Sequence, residues 1–211
     1  MTPEIFIKEI EHYLDRCEIS IDYITSNNID SPENEQILWG NDIFDFYFGA
    51  TRGCFIPAYD PTFVFKFDFN GLWEEYCEIE REYYKEATEK GLGKCFAKVV
   101  KFDTIQNTTI YKYEYVDTTA QKKKFRPLSM EEINTINTIE SKHKREFKFP
   151  NTWTMDFIDY HGAETYAKFL DFIEFHGIND LQPCNIGYIK GRPVAFDYAG
   201  FFEPSGSSCN S

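Results

Sequence analysis

The chain has 211 residues, of which 42% are hydrophobic and 18% aromatic, with 21 Phe and 14 Tyr. That composition supplies a packed core for one large domain or two lobes and excludes a chain disordered throughout. A formal net charge of -13 and a sequence pI near 4.8 disfavour nucleic acid and anionic membrane as partners, so neither is expected.

Thr2-Pro3-Glu4 places a hydroxyl cap, a proline and an acid where a helix begins, and Ile5, Ile7, Ile10 and Leu14 give that helix an apolar side ending before Ile19. Residues 25–36 form a polar, turn-rich connector, so residues 1–40 read as an N-terminal helix and connector. Ile43–Phe48 and Cys54–Ala58 are strand-like and flank the loop Gly49-Ala50-Thr51-Arg52-Gly53. After an Asp60-Pro61 turn, Thr62–Phe69 alternates bulky and polar residues as a strand does. Leu72–Lys90 is acidic and helical in pattern, and Gly91 is its stop. Cys95–Phe102 and Thr109–Val116 read as two more strands. The expectation for residues 42–116 is a five-stranded antiparallel sheet with one helix between the third and fourth strands.

Downstream, Ser129-Met130-Glu131-Glu132 is a capping box for a helix running toward Lys144. Gly162–Phe175 is a second helix with Tyr166, Phe169, Leu170 and Ile173 on its apolar face. Ile186–Ile189 and Pro193–Phe196 are short strands joined by a turn at Gly191-Arg192. Residues 204–211 read as a frayed tail. Charge is uneven: residues 1–40 carry nine acids and two bases, and residues 121–148 carry eight bases and four acids, either solvated faces or a basic docking patch. The six cysteines form no Cys-x-x-Cys pair, and no secretory leader or membrane-length apolar run is present. These features predict a cytoplasmic protein with reduced thiols.

The chemistry-bearing stretch is Asn179-Asp180-Leu181-Gln182-Pro183-Cys184-Asn185-Ile186-Gly187, followed by Ala195-Phe196-Asp197-Tyr198-Ala199-Gly200. An Asp, an Asn five residues on and a second Asp in an Asp-aromatic-x-Gly turn are what phosphoryl transfer from a nucleotide requires. One carboxylate positions the acceptor hydroxyl; the amide and the second carboxylate hold the metal that neutralises phosphate charge. This order resembles the catalytic loop and metal-binding Asp of the protein-kinase-like superfamily, in the style of its small and aminoglycoside-phosphotransferase-like members, and would suit a phage or bacterial genome.

The resemblance implies an α+β, two-lobe fold: an N-lobe over residues 41–117 and a reduced, mostly helical C-lobe over 118–203. It implies ATP and Mg²⁺ as cofactors and a protein or small molecule as acceptor. Asp180 would be the catalytic carboxylate, and Asn185 and Asp197 the metal ligands. Lys66, the only base in its strand, would hold the phosphates and pair with an acid of the following helix. Glu80 is the choice for that acid, with Glu78 next, because Glu80-Arg81-Glu82-Tyr83 resembles the Glu-x-x-Tyr of small kinase-like proteins. Gly49, Arg52 and Gly53 would cover the phosphates, and the backbone of Glu114 and Val116 would meet the adenine edge. The sequence departs from the family in three places. Ile178-Asn179-Asp180 lacks the supporting Arg of His-Arg-Asp, Gln182 stands where phosphotransferase-like members often have His, and the chain stops eleven residues after Gly200, leaving no room for an activation segment. A catalytically inactive, partner-binding kinase-like protein is therefore the alternative expectation. His176 reads as a structural residue at a helix end.

Overall fold

The structure is a computed structural model that describes residues 1–16, 21, 42–48, 51–69, 75–119, 126–179 and 181–199. The connector at 25–36, Gly49, the start of the 72–90 helix, Lys122–Lys124, Asp180, Gly200 and the tail lie outside the described residues. In chain order the elements are α1 (Pro3–Arg16), β1 (Phe44–Phe48), β2 (Arg52–Pro57), β3 (Phe63–Asp68), α2 (Tyr76–Glu89), β4 (Val99–Ile105), β5 (Thr108–Glu114), α3 (Met130–Glu140), α4 (Asn151–His161), α5 (Ala163–Phe175), β6 (Ile186–Ile189) and β7 (Arg192–Ala195). The fold is α+β. Five strands form one sheet in the order β1-β2-β3-β5-β4, every pairing antiparallel, and α2 falls between the third and fourth strands as expected.

The chain divides into two compact units, Met1–Glu82 with Lys98–Tyr115 and Tyr83–Ala97 with the residues from Val116 onward. The first unit holds the sheet. Strand alternation sends Phe63, Phe65 and Phe67 of β3 to one face, where they join Phe44, Phe46, Phe55 and Ile110 in a core closed by Phe6, Ile7, Ile10 and Leu14 of α1. The rings interlock: Phe6 stacks on Phe65 at 5.4 Å and meets Phe44 edge-on at 6.2 Å. Helix α1 buries Phe6 where the sequence favoured Ile5, which is 49% exposed. The reason is angular: positions 6, 10 and 14 lie one above another, and position 5 is turned roughly 100° from 6.

The opposite face of β2, β3 and β5 carries Arg52, Lys66, Asp68, Tyr111 and Tyr113, and the first turns of α2 pack on it. Tyr111 donates to Glu78 at 2.8 Å, and Asp68 accepts the Cys77 backbone N–H at 3.0 Å. Helix α2 ends as its glycine predicts. Gly91 takes φ +77°, its N–H bonds to Thr88 and that of Leu92 to Ala87, closing the last turn in a Schellman motif.

The second unit packs α3, α4 and α5 around Trp153, Phe157, Tyr166, Phe169 and Leu170, with β6–β7 and Phe96 in the same core. The capping box of α3 is present: Ser129 Oγ accepts from Glu132 N at 3.2 Å and Glu132 Oε2 from Ser129 N at 2.7 Å. That helix ends at Glu140, short of Lys144, and α4 was not anticipated from the sequence. The β6–β7 turn is Lys190-Gly191 rather than Gly191-Arg192. Both turn residues have positive φ, the type I′ geometry that matches strand twist, and Arg192 is already paired with Ile189. Among the described residues, no helix is long and apolar enough to cross a membrane.

Candidate functional site

In the first unit the sheet face under α2 gathers charge that a protein interior ordinarily rejects. Glu80 is wholly buried, at 0% exposure, and its Oε2 lies 2.9 Å from Nη1 of Arg52, whose side chain is 15% exposed. An unpaired buried carboxylate would cost several kcal/mol, so the guanidinium is what allows Glu80 to sit there. Glu80 was the acid chosen from its neighbours in sequence, and it is the only fully buried acid among the described residues. Glu78 is engaged differently, by Arg81 in a two-point fork at 3.0 and 2.6 Å and by the Tyr111 hydroxyl, which hold its carboxyl below the usual range.

Arg52 was read as a loop residue beside the glycines, yet it opens β2 and pairs across the sheet with Asp68. Two pairs further along, Cys54 faces Lys66, which also faces Tyr111. Alternation puts Arg52, Lys66 and Asp68 on one face. The Lys66 ammonium stands 4.8 Å from the centroid of the Tyr113 ring. Burial pushes the Asp68 carboxyl up to about 6, against the pull of the Cys77 N–H and of Arg52. Burial likewise raises the Cys77 thiol and the Tyr113 hydroxyl, with Asp68 and Cys77 respectively adding to it.

Gly53 has a packing explanation. A Cβ there would lie 2.3 Å from the Phe67 ring, its cross-strand partner, so the glycine makes room for an aromatic of the core. Glu114 Oε2 accepts the Lys98 N–H at 3.0 Å and so ties β4 to β5.

In the second unit Asn185 and Asp197 come to one end of the β6–β7 hairpin. Asn185 is buried in a short 3₁₀ turn, and its carbonyl accepts the Phe196 N–H at 2.9 Å, which places Asp197 one residue from the contact. Asp197 adopts φ +51°, a left-handed conformation that Asp tolerates better than most residues and that turns the chain sharply after β7. An amide oxygen and a carboxylate are hard donors of the type Mg²⁺ takes, so their chemistry fits that ion. Gly187, two residues beyond Asn185, lets the 116–117 segment approach: a Cβ on it would lie 2.5 Å from Val116 Cγ1 and 2.9 Å from the Asp117 carbonyl. Asp117 and Tyr188 exchange backbone hydrogen bonds of 2.9 and 3.1 Å at that contact.

The segment leading to Asp180 has a support that the sequence reading missed. Arg145 donates from Nη1 to the Ile178 carbonyl and from Nη2, at 3.2 Å, to the Asn179 carbonyl. Arg145 had been grouped with the basic surface residues of 121–148. Its signal in sequence was only a base beside Phe147, over whose ring the guanidinium lies at 5.7 Å. Arg126 of the same stretch pairs with Glu132 at 2.7 Å. His176 lies between the Tyr83 and Phe172 rings, tilted against each at 4.5 and 4.4 Å, with Nε2 3.2 Å from Glu86.

Compared with known proteins, the chain matches no family model, no curated protein and no solved structure.

Proposed function

We propose that the chain is an ATP- and Mg²⁺-dependent phosphotransferase of kinase-like type, acting on a protein or small-molecule acceptor in the cytoplasm. The observation that carries this reading is the buried Glu80–Arg52 pair. It sits on a helix that follows the third strand and lies over a sheet face also bearing Lys66. A soluble domain gains little from burying such a pair for stability alone, because two apolar residues of similar volume do as well or better. Cations held in fixed positions are, by contrast, what nucleotide phosphates require. In this reading Lys66 faces the phosphates, the Arg52–Glu80 pair lies on the same sheet face beside it, and Gly49 and Gly53 border the phosphate-covering loop. The backbone at Glu114 and Val116 meets the base. Asn185 and Asp197 hold Mg²⁺, which would offset phosphate charge, and Asp180 orients the acceptor hydroxyl.

A second reading is a kinase-like protein without activity that works by binding partners. The Phe67 ring filling the space beside Gly53 favours it, because that glycine then needs no phosphate to explain it. One experiment separates the two. In thermal-shift titrations with ATP and Mg²⁺, Asp197→Asn should weaken the metal-dependent stabilisation by removing a ligand charge. Asp180→Asn should leave it intact while lowering turnover, by autophosphorylation or ATP hydrolysis, about a hundredfold. A wild-type protein that shows no metal-dependent shift, with both variants indistinguishable from it, rejects the enzyme reading in favour of the second.

A further inference from the structure

We propose that Arg52 is a positioning residue of the nucleotide site, acting through Glu80 to fix α2 against the sheet face that bears Lys66. This rests on the phosphotransferase reading and names a regulator of its geometry that the sequence motif does not contain.

Three observations converge on it. The Arg52 guanidinium and the Glu80 carboxylate are 2.9 Å apart, with Glu80 fully enclosed. Arg52 begins β2, and Glu80 lies one helical turn into α2, so the contact joins the first residue of a strand to the helix above it. The neighbouring cross-strand partner of Arg52, Asp68, accepts the Cys77 N–H through both carboxylate oxygens, at 3.1 and 3.0 Å, so the same corner of the sheet holds α2 at two points one turn apart. The two points differ in kind. Asp68 satisfies a backbone donor of the first turn, which fixes where the helix begins. Arg52 grips a side chain on the sheet-facing side, which fixes how the helix is rotated about its axis. Rotation determines which α2 residues look at Lys66, because residues along a helix change face by roughly 100° each. An arginine suits this task because its planar fork keeps its direction where a lysine ammonium would swing.

The test must separate positioning from simple stability, since removing one partner of a buried pair leaves a buried charge and can unfold the protein. Arg52→Met and Glu80→Gln are therefore compared with the double variant Arg52→Met/Glu80→Leu, in which the Glu80 carboxylate is not stranded, made in an Asp68→Asn background so that the carboxyl facing Arg52 is neutral as well. Each protein is assayed for melting temperature and for kcat and KM with MgATP. If Arg52 positions the site, the double variant melts within a few degrees of wild type. Its kcat/KM should still fall about a hundredfold, the effect of misplacing groups by an ångström. In Arg52→Lys, where charge remains but direction is lost, most of that fall should persist. A double variant that recovers both stability and kcat/KM overturns the proposal and leaves the pair purely structural, with the phosphotransferase reading intact. A wild-type protein that neither binds nor turns over MgATP rejects the underlying reading and the positioning role with it.

Discussion

Asp68→Asn should make the protein more stable at neutral pH. Asp68 lies between β3 and the start of α2, facing Arg52 across the strand pair, with Cys77, Glu80 and Tyr111 nearby, and burial raises its carboxyl from the ordinary 3.8 to about 6. The folded state therefore holds the Asp68 proton more tightly than the unfolded chain does. Below pH 3.8 both states are protonated and the group is neutral to stability. Between 3.8 and about 6 the folded protein binds more proton, so stability falls as pH rises through this window. Above it the ionised form carries the whole burden, about 3 kcal/mol at 1.36 kcal/mol per pH unit. Asparagine mimics the protonated carboxyl: its Oδ1 still accepts from Cys77 N–H, and it never ionises. Urea unfolding followed by far-UV circular dichroism from pH 4 to 8 should show the two proteins equal near pH 4. The variant should be ahead by about 2–3 kcal/mol at pH 7.5. Subtracting the profiles removes the titration of every carboxylate they share. Parallel profiles would show that Asp68 ionises as freely folded as unfolded, and the account of this corner of the sheet would be wrong.

Two further substitutions probe the second unit. Gly187→Ala forces a methyl to within 2.5 Å of Val116 and should cost about 1–3 kcal/mol, lowering the melting temperature by about 2–4 °C per kcal/mol; an unchanged melting curve would contradict the close approach. Arg145→Met strips the Ile178 and Asn179 carbonyls of their donor and the Phe147 ring of its cation, an expected loss of about 1–3 kcal/mol, with amide exchange accelerating in residues 176–182; unaltered exchange there would refute the support role.

Much of the sheet was legible because its signals are local and agree with one another. Alternating phenylalanines give β3 its faces, Gly91 stops α2, and Ser129 with Glu132 opens α3. Helix α4 escaped for the opposite reason. Its N-cap, Pro150, offers no side-chain cap, and Trp153, Thr154, Met155, Phe157 and Ile158 are all buried, so only a narrow polar stripe of Thr152, Asp156 and Asp159 marks its period. It then meets Gly162, at φ +91°, and α5 starts at the next residue, so two helices read as one boundary. The start of β4 was misplaced because Gly93–Cys95 forms a 3₁₀ turn and Phe96 bridges to Ala195, a partner about a hundred residues away that no local pattern announces. At the candidate site, the sequence pattern did not show which partners the side chains would meet. Arg52 looked like a loop base and Arg145 like part of a charged face, because a long side chain reveals its acceptor only once the backbone has been placed.

Trp153 turns one of these contacts into a spectroscopic probe. Its indole is enclosed among Phe149, Phe157 and Phe169, and its N–H donates to the Gly187 carbonyl at 3.2 Å. Replacing Trp39 and Trp73 by Phe would leave it as the sole indole of the chain. Its emission would then shift to the red when the β6–β7 hairpin draws away from α4 and water reaches the indole. The same ring that fills the core would thus give an optical readout of the hairpin that has Asn185 and Asp197 at one end.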